Sequence, residues 1–186
     1  MTRPKAADSQ RRPPVAITMH HTGVVVSDLP KAAAYYSRMF GAVPEFELTD
    51  VVDAGGRHGV PEARYSLVLM RLPGGRIELV EYHAPRDASK SPAGVRDVGS
   101  SHIALTIADL DETIRVLSGL GMKFLGEPMR VTEGPSTGMA IAYGLDPDGN
   151  RIEFIQQPID TPDADGAATH ARKHDRRRVR RPGTAS

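Results

Sequence analysis

Residues 21–29 read HTGVVVSDL and residues 102–110 read HIALTIADL. A chain that repeats itself in this way must fold as two similar units, and each unit needs something to cover the surface it cannot bury alone. In both copies a histidine precedes an Asp-Leu step at the same distance, and an amphipathic stretch follows. The first stretch, LPKAAAYYSRMFG, has Pro30 in its opening turn and Gly41 as a stop; the second, LDETIRVLSGLG, has Glu112 three residues after Asp109. Asp28 and Asp109 are therefore expected to cap two helices, the second with a capping-box glutamate. A second echo links LPGGRIELVEY at 72–82 with DPDGNRIEFIQQ at 146–157. Each has a glycine turn followed by Arg-Ile-Glu and an apolar residue, the signature of a hairpin.

Each half thus reads as strand, helix and two or three further strands. The spans are about 17–82 and 100–157, joined by the polar linker HAPRDASKSPAGVRDVG. Strands are expected at 18–26, 45–50, 65–71 and 76–82, then at 101–107, 123–127, 138–144 and 151–156. The fold class is α+β: two βαβββ modules paired into an open barrel-like mixed sheet with the helices outside. Residues 16–158 form this domain.

The flanks differ in kind. Residues 1–15 and 159–186 each carry a net charge of +3, which leaves −5 on the middle of a chain whose total is +1. Rich in Pro, Ala and Asp, these flanks have too little apolar surface to offset their ordering entropy, so both are read as disordered basic tails. A run such as RKHDRRRVRR can touch nucleic acid or an acidic partner, but the favoured reading is a solvated tail with no nucleic-acid role. The absence of cysteine excludes disulfides, thiolate metal sites and cysteine nucleophiles. The N-terminus lacks the apolar run of a secretory signal. No stretch reads as a membrane span, and a cytoplasmic location is expected. No G-x-G-x-x-G follows a strand, which disfavours a dinucleotide fold, and no G-x-S-x-G appears, which disfavours a serine hydrolase.

Strand parity then sorts the ionisable residues, because successive side chains point to opposite faces. His102, Ala104 and Thr106 share one face, as do His21, Gly23 and Val25; Glu78 and Glu153 have apolar neighbours pointing the other way. Two imidazoles and two carboxylates gathered in the hollow of a sheet are nitrogen and oxygen ligands for a divalent ion. Without a cation the carboxylates repel each other and resist desolvation. The metal candidates are His21, Glu78, His102 and Glu153, with one Ni, Co, Zn, Mn or Fe ion as the cofactor. His21 is preferred to His20 because only it keeps the spacing to Asp equal in the two copies. Glu81 and His83 have the opposite parity and are expected outside the hollow. Arg76 and Arg151 have ligand-side parity and are candidates for an anionic substrate group or for rim salt bridges. The glycine-bearing stretch at 50–65, with Arg57, His58 and Arg64, is a candidate lid, as is 127–140.

In HHTGVVVSDLPKAAAYYSRMFG, GGRIELVEY, GSSHIALTIADLDE and DPDGNRIEFIQ the chain resembles the vicinal oxygen chelate superfamily. That superfamily contains glyoxalase I, bleomycin-resistance proteins, extradiol dioxygenases and methylmalonyl-CoA epimerase. The resemblance implies that His21, Glu78, His102 and Glu153 hold the ion, which chelates neighbouring oxygens of a small oxygen-rich substrate. A carboxylate then moves a proton beside the carbonyl; Glu153 is the candidate base and Glu78 the alternative. The His, Glu, His, Glu order is most similar to bacterial glyoxalase I, which implies a lyase or isomerase. A fourth ligand crowds out O2, which disfavours an extradiol dioxygenase; a metal-free, bleomycin-resistance-like binder is the other alternative. The chain departs from glyoxalase I in having VGSSHIAL before its second histidine and no Trp, so a glutathione-derived substrate is not expected. The resemblance also implies a homodimer.

Overall fold

A computed structural model describes residues 17–56, 59–86 and 97–158. The expected tails, Arg57, His58 and most of the linker lie outside the described residues. Strand β1 (Thr22–Val25) leads into helix α1 (Leu29–Phe40), followed by β2 (Val43–Asp53), β3 (Ala63–Leu72) and β4 (Gly75–Ala84). The order then repeats as β5 (Ile103–Ile107), α2 (Leu110–Gly119), β6 (Lys123–Arg130), β7 (Ala140–Leu145) and β8 (Arg151–Gln156). The two sheets run β1-β4-β3-β2 and β5-β8-β7-β6. In each, the first strand pairs parallel with the last and the other neighbours are antiparallel. The result is an α+β fold of two βαβββ modules. The sheets remain two four-stranded units and do not merge into one closed barrel.

Local chemistry explains the elements. The Asp28 carboxylate accepts from the Lys31 N–H and the Asp109 carboxylate from the Glu112 N–H, so both helices are capped as their sequences require. Gly41 ends α1 at φ 66°, a left-handed conformation that glycine adopts without strain. The Glu112 side chain does not close a capping box; it turns to Arg115 instead. Along α1, Leu29, Ala32, Tyr35, Tyr36 and Met39 are buried, one helical stripe against the core.

The stretch expected as a long loop at 50–65 is strand at both ends. Val51, Val52 and Asp53 pair with Tyr65, Arg64 and Ala63, so the connection shrinks to residues 54–62. A bulge between Leu48 and Val51, with Asp50 at φ 55°, lets β2 continue past the point where its pattern breaks. β6 likewise runs to Arg130, which shortens the second candidate lid to residues 131–139.

One apolar core spans both modules. Phe40 of α1 meets Phe154 of β8 at 6.2 Å between ring centroids, and Val24, Tyr36, Leu79, Leu110, Ile152 and Phe154 belong to the same buried cluster. At the β7–β8 turn the buried Asp146 acts as the joint. Its carboxylate accepts from the Tyr36 hydroxyl at 3.1 Å, from the backbone N–H groups of Asp148 and Asn150 at 2.9 and 2.8 Å, and from the Asn150 amide at 2.9 Å. Ser27 donates its N–H to Asp148 at 3.0 Å, tying the end of β1 to the same turn. Burial and the Asp146 charge push the Tyr36 phenol far above its ordinary pKa, so it stays a donor.

Candidate functional site

The parallel pairing of β1 with β4 sets Gly23 opposite Glu78, and that of β5 with β8 sets Ala104 opposite Glu153. In each module the histidine lies just before the first strand and the glutamate in the adjacent one, so imidazole and carboxylate meet across neighbouring strands. His21 Nε2 lies 3.5 Å from Glu78 Oε2, and His102 Nε2 lies 2.9 Å from Glu153 Oε2. His20 turns to the other ring nitrogen of His21, at 2.7 Å between the two Nδ1 atoms. Within the pair of histidines, His21 is the one facing Glu78.

The second pair has a third member that strand parity did not single out. Tyr143, on β7 opposite Glu153, donates its hydroxyl to Glu153 Oε1 at 2.8 Å. Its ring meets that of His102 edge-on at 5.8 Å. The bond to Glu153, with partial burial, holds the Tyr143 phenol above its ordinary pKa. Counting back from the DPDGN turn would have paired Tyr143 with Glu153; the strand pattern of β7 alone does not show it.

The pairs have the donor types of a divalent-ion site, and their separations suit both a direct His–Glu contact and two ligands of one ion. Two ligands of one ion, with bonds of about 2.1 Å, stand roughly 3.0–3.4 Å apart at octahedral to tetrahedral angles, close to both separations seen here. The structure brings the four candidates together two by two. Among the described residues no three His, Cys, Asp or Glu side chains form a single group able to hold a metal.

Arg76 is committed elsewhere: its Nε donates to Glu45 at 2.6 Å, and Arg71 reaches the other Glu45 oxygen at 2.9 Å. This is the rim salt bridge anticipated as one of its two roles. Arg151 donates to the Ser100 hydroxyl. Glu81 and His83 lie away from the His–Glu pairs, on the helix side of their sheet, where Glu81 accepts the Leu29 N–H of α1. A cavity of about 960 Å³ opens beside His21 and takes its walls from both modules, among them Ile77, Ile103, Thr106, Val116 and Phe154. That is ample for a small molecule.

Known proteins carry the same plan. The profile of the glyoxalase/bleomycin resistance protein/dioxygenase superfamily matches residues 18–154. The chain belongs to that superfamily. A relative in the superfamily, the 2-epi-5-epi-valiolone epimerase of an Actinomyces species, is 32% identical over 157 residues, covering 80% of this chain and 84% of that one. Among solved structures, a glyoxalase family protein from Bacillus cereus superposes with a TM-score of 0.64 at 24% identity, covering 82% of this chain and 99% of that one. A mutant glyoxalase I from Zea mays gives 0.52 at 22% identity, covering 75% of this chain and 44% of that one. At such identities the structures attest to the fold. None of the described helices is long and apolar enough to cross a membrane.

Proposed function

We propose that this superfamily member is a divalent-metal-dependent isomerase of epimerase type, moving a proton beside a carbonyl of a small oxygen-rich substrate. The observation that carries the reading is the duplicated His–Glu pair, set by equivalent parallel strand pairings in two modules. Its support from kinship is the 32% identical epimerase, which covers most of both chains. In this reading the two pairs, separate in this structure, would have to close on one another for His21, Glu78, His102 and Glu153 to hold one ion. When bound, such an ion supplies positive charge where negative charge develops on the substrate oxygen.

The remaining work falls to the chain itself. Epimerisation needs a group that removes a proton from one face of a carbon and another that returns it to the opposite face. Two carboxylates in two modules provide two candidates. Glu153 is held on both oxygens, by His102 and by Tyr143, so its position is fixed before substrate arrives. Glu78 is more exposed and has the looser histidine contact, which leaves it freer to exchange a proton.

Metal analysis of the purified chain should find about one divalent ion, lost in both His21→Ala and His102→Ala. Full occupancy in His21→Ala would place the ion on the second pair alone and remove the four-ligand reading. The reaction itself is tested with 2-epi-5-epi-valiolone in D2O: deuterium should enter the carbon next to the ketone, and chelation should stop it. No exchange, together with O2 uptake on a catechol, would transfer the assignment to ring cleavage.

A further inference from the structure

The same internal repeat exposes a second cluster, on the opposite face of the first sheet. In both modules the first helical N–H is accepted by a side chain three residues beyond the pair's glutamate: Leu29 N–H by Glu81 Oε2 at 2.9 Å, and Leu110 N–H by Gln156 Oε1 at 2.8 Å. A neutral amide therefore suffices for that structural task. The first module nevertheless carries a carboxylate there and adds two more polar groups. Ser66 stands opposite Glu81 where Ala140 stands opposite Gln156, and His83 follows Glu81 at the spacing where Pro158 follows Gln156. The fold tolerates Ala, Gln and Pro at these positions, so it does not require Ser66, Glu81 and His83.

Their arrangement is ordered. Ser66 Oγ lies 2.8 Å from His83 Nε2, and His83 Nδ1 lies 3.6 Å from Glu81 Oε1, a charge contact longer than a hydrogen bond. Glu81 is anchored by α1 through its other oxygen. The Asp50 N–H donates to Ser66 Oγ at 3.0 Å, and the hydroxyl proton is free to bond His83 Nε2 when that nitrogen is unprotonated. Asp50 delivers that N–H from a left-handed backbone, φ 55°, which is costly for a residue other than glycine. Ser66 is 7% exposed yet lines a cavity of about 510 Å³ together with Glu81, His83, Arg64 and Arg86. A nucleophile, a base and a carboxylate that orients the base, all opening on one cavity, are recognised by geometry and role; a G-x-S-x-G elbow is one way of presenting them and not the only one.

We infer that Ser66, His83 and Glu81 form a second, metal-independent site that hydrolyses small carboxylic esters through an acyl-serine. Ser66 Oγ adds to the acyl carbon while its proton passes to His83 Nε2. The ester C–O bond then breaks and the alcohol leaves with that proton. Water, its proton taken by His83, next adds to the acyl carbon; the Ser66 ester bond breaks, Ser66 recovers its proton and the acid departs. Glu81, 3.6 Å from Nδ1, attracts the imidazolium that forms when His83 takes up the proton. Arg64 and Arg86 line the same cavity, Arg64 paired with Asp50 and Arg86 bonded to the His83 carbonyl, so the wall around the acyl group is polar and mixed in charge.

The probe is diisopropyl fluorophosphate on the full chain in excess EDTA, read by intact mass and peptide mapping. The expected result is one diisopropylphosphoryl group on Ser66, with fluoride released. Labelling should be absent in Ser66→Ala, at least about 100-fold slower in His83→Gln and roughly tenfold slower in Glu81→Gln. p-Nitrophenyl acetate hydrolysis should fall in the same order. Ala140 and Gln156 show that two of these substitutions suit the equivalent positions, and circular dichroism reports whether each variant is folded. An unlabelled Ser66 in the wild type overturns the proposal, as does an unchanged labelling rate in folded His83→Gln or Glu81→Gln. EDTA separates the two sites: loss of the epimerase activity leaves this labelling unaffected, and absent labelling leaves the metal site standing.

Discussion

In the second module the Glu153 side chain is 10% exposed, 2.9 Å from His102 and bonded to Tyr143; in the first, the Glu78 side chain is 24% exposed, 3.5 Å from His21, and Leu69 stands where Tyr143 would be. The strand pairings that deliver the two pairs are the same, so backbone geometry is not what separates them. A single cross-strand neighbour is. A phenol opposite a carboxylate bonds one of its oxygens, and a leucine offers no such bond. The joint between the modules is similarly uneven. α1 is fastened to the β7–β8 turn through Tyr36 and Asp146, whereas α2 and the β3–β4 turn line the two sides of the large cavity. Duplication supplied two copies of each feature, and one copy of each was left open.

The largest expected effect tests the division between a fixed and a free carboxylate. Glu153→Gln should lower turnover about 1,000-fold or more, with metal binding weakened but measurable, because the amide retains a ligand oxygen and loses the base. Glu78→Gln should cost about 100-fold if Glu78 serves the opposite face. Equal losses would erase the distinction between the two pairs, and full activity in Glu153→Gln would remove its role as base.

Next in size is the fastened side of the joint. Asp146→Ala leaves the Tyr36 hydroxyl and two backbone N–H groups without their acceptor in a buried turn. Urea denaturation should show a loss of about 3 kcal/mol. Tyr36→Phe, which removes one donor and leaves the carboxylate three others, should cost about 1 kcal/mol. A loss near zero for Asp146→Ala would mean that the apolar contact of Phe40 with Phe154 holds the modules together unaided.

These expectations also mark what the sequence made visible. The repeat and its parity were enough to place two modules, both helix caps and the His–Glu partners, because each depends on spacing along one strand or one turn. Tyr143 depends on register between strands, which only a hairpin count supplies. The extension of β2 past residue 50 depends on Asp50 adopting a left-handed backbone, which nothing in TDVVDAGG announces. The gathering of four ligands into one group was inferred from chemistry alone; spacing within a module says nothing of the distance between modules, and the structure shows two pairs. Ser66 was invisible for the same reason as Tyr143: its partners Glu81 and His83 lie on another strand.

Moving the tyrosine sharpens the comparison directly. Tyr143→Phe should free one oxygen of Glu153 and lower kcat about tenfold with little change in stability, since the site is partly open to solvent. Leu69→Tyr places a phenol opposite Glu78. If the phenol is what fixes a carboxylate, the first pair should then resemble the second, with tighter metal retention on dialysis. Unchanged retention in Leu69→Tyr would assign the difference to burial instead.

The smallest effect concerns packing beneath the two sheets. The register that sets Met70 opposite Ile77 sets Gly144 opposite Ile152, and the residue following each helix stop is Ala42 in one module and Met122 in the other. Large and small have changed places: Met70 and Ala42 in the first module, Gly144 and Met122 in the second, all within buried surroundings. A Cβ added at Gly144 would come within 3.0 Å of the Met122 sulfur. Met122 is unbranched and able to yield, so Gly144→Ala should change stability by less than about 1 kcal/mol, the entropy gained by losing a glycine partly offsetting the crowding. In a Met122→Ala background the crowding disappears and only the gain remains, so Gly144→Ala should then stabilise. The double-mutant cycle should therefore return a favourable coupling of about 0.5–1 kcal/mol. A coupling of zero would mean that the two modules reached their core volumes independently, and that the exchange of methionine and small residue between strand and helix end is not a packing compensation.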